Sequence, residues 1–100
     1  MELNVKHSGN CVRFEIAGII DTQGSEALKR TFEDLKIADI KELILDFGKV
    51  LYIGSSGVAK LLMFYKKLTT NGGRLRIEND TGIFQELITS TGMENVFRVQ

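Results

Sequence analysis

Apolar residues recur at every second position in four stretches of this chain. Three of the four run on, within a few residues, into a stretch with helical spacing. A chain that keeps switching between a period of 2 and a period of 3.6 must build a sheet with helices laid against it. Leu3, Val5 and His7 alternate with Glu2, Asn4 and Lys6. Ser8-Gly9-Asn10 is a turn, and Val12, Phe14 and Ile16 then alternate with Cys11, Arg13 and Glu15, so the first two strands form a hairpin. Period places His7 on the inward side, partly buried.

The next segment, residues 25 to 36, reads as helix, with Leu28, Thr31, Phe32 and Leu35 at i, i+3, i+4 and i+7. Thr22 or Ser25 supplies its N-cap. A strand follows over 42 to 47, turning Leu43, Leu45 and Phe47 to one side. Val50 to Ile53 is an apolar lead-in to Gly54-Ser55-Ser56-Gly57 and a helix reaching about Thr70, where Asn71-Gly72-Gly73 stops it. Arg74-Leu75-Arg76-Ile77 alternates again. Asp80 or Thr81 caps a third helix carrying Ile83, Phe84, Leu87 and Ile88 on one face, and Gly92 ends it. Val96, Phe97 and Val99 form an apolar tail expected to pack back on the domain.

The order is β-β-α-β-α-β-α over a single domain, 1–100. Strand, helix, strand implies parallel neighbours joined by right-handed crossovers. A parallel sheet covered on both faces would carry near-continuous apolar strands. Here Arg13, Glu15, Arg74 and Arg76 occupy the second face. The expected architecture is therefore an α/β domain with a mixed four-stranded sheet and helices mainly on one face.

Thirteen Lys and Arg balance thirteen Asp and Glu. That balance lacks the basic excess of a nucleic-acid binder. One cysteine, Cys11, allows no internal disulfide. The opening residues lack a signal peptide's basic region and apolar run, and no apolar stretch approaches a membrane span of about 20 residues. The expectation is a cytoplasmic domain that engages neither membrane nor nucleic acid. One His and one Cys offer no metal-ligand spacing, and neither phosphate-binding glycine motif is present, so no metal and no cofactor is expected.

The strongest local feature is Leu51-Tyr52-Ile53-Gly54-Ser55-Ser56-Gly57-Val58. The simplest account is structural, with Ser55 as N-cap and the glycines permitting a close turn. A serine nucleophile fits badly. The spacing is not that of the G-x-S-x-G elbow, and the sole imidazole, His7, lies on the opening strand. An enzyme is not expected. A modified serine fits better, because a helix N-terminus is hospitable to phosphate. On the helical wheel Val58, Leu61, Leu62, Phe64, Tyr65 and Leu68 form the apolar arc. Met63 projects instead on the side of Ser56 and Ala59, as an adaptable contact, as a tolerated surface residue, or as a residue packed under a neighbouring loop.

Taken in order, these residues resemble the STAS family, the bacterial anti-sigma factor antagonists. Leu45-Asp46-Phe47 followed by Val50 to Val58 is similar to that family's strand, lead-in and D-S-S-G helix start. Gly18-Ile19-Ile20-Asp21 is similar to its G-x-[LI]-D element. Asn71-Gly72-Gly73 and Ser90-Thr91-Gly92-Met93 with Val96-Phe97 match in type and place. The resemblance implies a protein-binding switch. An anti-sigma factor that is also a serine kinase phosphorylates the first serine of the pair, here Ser55, with Ser56 as the alternative. The unphosphorylated form binds that factor and releases the sigma factor, and a serine phosphatase resets it. The expected partner face comprises Asp21, Thr22, Gly54, Ser55, Ser56, Ala59 and Met63; the resemblance points to Asp21, Ser55 and Ser56, and the helical wheel adds Ala59 and Met63. One position departs: Gly54 stands where the family typically has Asp. That departure keeps a second function open, a non-phosphorylated STAS adaptor in a transporter or stress-signalling complex.

Overall fold

The computed structural model describes residues 1–93. Its elements are β1 (Glu2–Ser8), β2 (Cys11–Ile20), α1 (Thr22–Glu33), a 3-10 turn (Ile37–Asp39), β3 (Glu42–Ile53), α2 (Ser55–Thr70), β4 (Arg74–Glu78) and α3 (Ile83–Thr91). The sheet order is β1-β2-β3-β4. β1 and β2 are antiparallel, and the β2–β3 and β3–β4 pairs are parallel. The expected α/β order and mixed sheet are therefore present. The apolar tail of Val96, Phe97 and Val99 lies outside the described residues.

One face of the sheet and the buried sides of the helices form a single apolar cluster. Val12, Phe14 and Ile16 of β2, Leu43, Leu45 and Phe47 of β3, and Leu75 and Ile77 of β4 meet Leu28, Phe32, Leu61, Phe64, Leu68, Phe84 and Ile88. Phe32 and Phe64 stack at 4.2 Å between α1 and α2, and Phe84 of α3 meets Phe47 edge-on at 5.4 Å. Such aromatic contacts add to the burial of the rings themselves.

The other face is polar, but it is not a set of free charges. Arg13 donates to Asp46 and to Glu78, each at 2.7 Å. Glu42 pairs with Arg74 at 2.6 Å and Arg76 at 3.5 Å, and Arg76 also meets Glu78. Lys6 reaches Glu15 at 3.4 Å. Charges on every strand are thus zipped into a half-buried lattice. Its carboxylates carry a pH signature. For Glu78 the hydrogen bond from Arg13 leads, outweighs desolvation and holds the carboxyl below its ordinary range. For Asp46 desolvation pushes upward, but hydrogen bonds from the Gly48 N–H, Asn79 and Arg13 together win and hold it low.

A carboxyl lowered in the folded state contributes stability above its unfolded pKa and loses it as pH falls through the folded one. Urea midpoints should accordingly hold from neutral pH down to about pH 4, then fall steeply below the ordinary carboxylate range. Arg13→Ala should flatten that acid-side slope. An unchanged slope in the variant would show that the Arg13 contacts do not cause it.

Several local expectations need correction. α1 starts at Thr22, not Ser25, because Asp21 is its N-cap and accepts from the Gly24 N–H at 2.8 Å. Ser25 is buried inside the helix, where its hydroxyl donates to the Thr22 carbonyl. β3 does not stop at Phe47 but continues through the lead-in to Ile53. His7 is exposed rather than partly buried, since β1 is an edge strand with a neighbour on one side only. At α3 the N-cap position is Gly82. Asp80 still supplies capping oxygens, accepting from the Phe84 and Gln85 N–H groups. Gly92, at φ 70°, ends that helix as expected.

Candidate functional site

Parallel strands β2 and β3 end together. Ile20 is the register partner of Ile53, so the residues that follow, Asp21 and Gly54, leave the sheet side by side. The Gly54 N–H donates to the Ile20 carbonyl at 3.0 Å and fastens the two exits to each other. α1 and α2 therefore begin as neighbours beyond the carboxyl ends of the strands, the place where open α/β sheets commonly present their binding surface. Lys60 of α2 meets Glu26 of α1 at 3.3 Å and ties the helices again further along.

The two helix starts are finished differently. At α1 the Asp21 carboxylate fills the cap. At α2 the cap residue is Gly54, which brings no side-chain acceptor, and Ser55 is the first helical residue rather than the cap. The expectation that Ser55 caps α2 is thus corrected. Gly54 already has the extended backbone (φ −89°, ψ 176°) that a cap position requires. Ser55 is left exposed, with its hydroxyl free of capping duty, at the positive end of a 16-residue helix.

A close approach holds this start in place. A Cβ at Gly57 would stand 2.7 Å from Ile53 Cγ1 and 2.9 Å from Ile20 Cγ2, both on buried side chains. Only glycine lets α2 lie this near the strand ends. Gly57→Ala gains about 1 kcal/mol of helix propensity but overpacks the core at a cost of about 1–3 kcal/mol. A net loss near 1 kcal/mol is expected in urea unfolding. A stabilised variant would show that the two isoleucines give way freely.

The remaining candidate residues divide. Asp21, Thr22, Ser55 and Ala59 are exposed, while Gly54 and Ser56 are half-buried. Met63 is half-buried, with part of its side chain packed against the core cluster and part left at the surface. His7 pairs with Val12, eight residues from the end of β2, so about 26 Å of strand separates it from the Ser55 end. It cannot act as a base for Ser55.

One feature of this end was not read from sequence. β3 carries extra residues relative to β2. Gly18 pairs with Val50 and Ile19 with Tyr52, leaving Leu51 without a partner in the register. Leu51, Tyr52 and Ile19 are all exposed. The available signal was glycine inside a strand pattern, which often marks a bulge. Gly18 sits at φ 96°.

The sequence pattern of the STAS domain matches residues 2–100. The chain belongs to the STAS domain family. Among curated proteins it is similar to the anti-sigma-B factor antagonist of Bacillus subtilis (strain 168), at 26% identity over 101 residues, covering 99% of this chain and 90% of that one. Among solved structures it is similar to the anti-sigma factor antagonist SpoIIAA in its unphosphorylated form. The TM-score is 0.83 at 17% identity, covering 99% of this chain and 88% of that one, a likeness of fold. It is also similar to Mglu, with a TM-score of 0.71 and 25% identity over 80% of this chain, but it spans only 20% of the Mglu chain. This STAS domain thus resembles anti-sigma factor antagonists at low identity. No helix among its described residues is long and apolar enough to cross a membrane.

Proposed function

We propose that this STAS domain is an anti-sigma factor antagonist, a protein-binding switch set by phosphorylation of Ser55. Its partner is an anti-sigma factor of the serine-kinase type, bound by the unmodified form, and a serine phosphatase reverses the modification. The observation that carries the reading is the exposed Ser55 hydroxyl at the uncapped start of α2, beside Asp21 at the start of α1. A helix N-terminus tolerates the phosphate, and the neighbouring exits of β2 and β3 give a partner a composite surface to grip. Ser56, half-buried, is the alternative acceptor.

Gly54 favours a second reading, the constitutive adaptor. A glycine there supplies no carboxylate to a kinase. Incubation with the cognate kinase and ATP, followed by intact-mass measurement, separates the two. One added phosphate, lost in Ser55→Ala, supports the switch. Binding without modification of the wild type supports the adaptor.

A further inference from the structure

Four large hydrophobic side chains are exposed among the described residues, and they lie at one end of the molecule. Leu51 is 73% exposed, Tyr52 57%, Ile19 48% and Met1 41%. Ile19 and Tyr52 are register partners across β2 and β3, and Leu51 is the bulged residue next to them. Met1 closes the group from the other side. Its Cα lies 3.6 Å from where a Gly18 Cβ would be, and its Sδ lies 3.0 Å from the corresponding point on Gly24 in α1.

The patch runs directly into the candidate site. The Tyr52 ring edge and hydroxyl come within 3.7 and 3.8 Å of the point where a Gly54 side chain would begin. Gly54 precedes Ser55, and Asp21 lies two residues beyond Ile19. The four side chains are uncharged, and exposed charges border them: Asp21 two residues after Ile19, Lys49 two residues before Leu51, and Glu2 next to Met1. Exposed apolar groups gathered in one place, rather than scattered, mark binding surfaces.

We propose that the anti-sigma factor docks over the strand ends, on Ile19, Leu51 and Tyr52, with Ser55 covered by the same contact, rather than along the Ala59–Met63 side of α2. The inference rests on the reading of this chain as an antagonist and names the surface that the partner covers. The helix side has little to offer, because Met63 is already partly packed against the core and Ala59 is small. The partner's matching surface is apolar where it meets these three side chains. A second copy of the chain fits less well. Permanent homodimers bury roughly 2,000 Å² or more in total; four exposed apolar side chains are a small part of such an interface and suit the centre of a reversible complex.

The test uses the full chain and the purified serine-kinase-type anti-sigma factors of the source organism, titrated one by one by calorimetry. Leu51→Ser and Tyr52→Ala should each weaken binding at least tenfold with unchanged circular dichroism and thermal midpoint, because both side chains are exposed. Tyr52→Phe should bind like the wild type, and Lys67→Ser, far along α2, should too. If Leu51→Ser and Tyr52→Ala bind like the wild type while Ala59→Arg does not, the footprint is on the helix side. The inference then fails and the antagonist reading stands. If no such factor binds the wild type, the antagonist reading fails and takes the footprint with it. A dimer in light scattering that Leu51→Ser converts to monomer overturns the proposal in favour of self-contact.

Discussion

Leu45→Ala should lower the unfolding free energy by about 2–5 kcal/mol, the range for a leucine removed from a packed core. Leu45 lies on β3, with Phe14 of β2 opposite it on one side and Ile77 of β4 on the other. All three are buried in the same cluster. A side chain walled in by two strands and by the helices above leaves a cavity that the surroundings cannot close. Leu51, on the same strand, is the internal control. It is exposed and unpaired in the register. Leu51→Ala should therefore change stability by no more than about 0.5 kcal/mol, as surface substitutions do. Urea unfolding of the two variants checks both values. A loss below about 1 kcal/mol for Leu45→Ala would mean that the site collapses around the missing atoms.

The contrast between these two leucines shows what the sequence makes legible. Leu43, Leu45 and Phe47 at every second position announce a strand with one apolar face, although Ile44 between them is apolar and buried too, and the helix that follows makes the next strand a parallel neighbour. The alternation stops being informative where β3 takes on extra residues. Val50 and Ile53 are buried and Leu51 and Tyr52 are exposed, a pattern that fits neither period and reads only as an apolar run. The start of α1 is hidden for a related reason. Gly24 and Ser25 look like loop, but they sit buried in the first turn because Asp21 has already capped the helix. His7 misleads because period assigns a side but not a cover, and an edge strand has cover on one flank only.

At the candidate site, sequence reasoning puts Asp21 and Gly54 on one partner face, but that they leave the sheet as neighbours follows only from the Ile20–Ile53 register. The assignment of the cap to Gly54 does not follow from sequence either, since serine is the usual cap and only the backbone decides. The wheel puts Met63 on the side of Ala59, yet Ala59 is exposed and Met63 is half-buried. Whether that side of the helix faces solvent or a neighbouring element depends on packing, which the wheel does not contain.

Phosphorylation of Ser55 should weaken partner binding by roughly a thousandfold, a loss of about 4 kcal/mol. The argument is a difference between two states. In the free domain the phosphate sits at the first residue of α2, where the helix dipole favours an anion by about 0.3–1 kcal/mol. Gly54 adds no carboxylate to repel it. The Asp21 carboxylate nearby is engaged with the Gly24 N–H. The modified domain should therefore fold as the unmodified one does, with a thermal midpoint equal or slightly raised.

In the complex the same group, carrying close to two negative charges, must shed water against a partner surface, and the effective penalty of burying an ion is several kcal/mol. Mild stabilisation of the free form and a large penalty in the bound form both move the equilibrium toward release. Ser55→Asp should fold normally and bind poorly, though less poorly than the phosphoprotein, since it brings one charge instead of nearly two. Ser55→Ala should bind like the wild type. It should also keep its stability to within about 0.5 kcal/mol, because Gly54 and not Ser55 caps the helix and no capping bond is lost. Calorimetric titration of the wild type, the phosphoprotein and the two variants against the anti-sigma factor reads all four. A phosphoprotein that binds within tenfold of the wild type would show that Ser55 lies outside the contact, and would leave the constitutive adaptor as the better account of the domain.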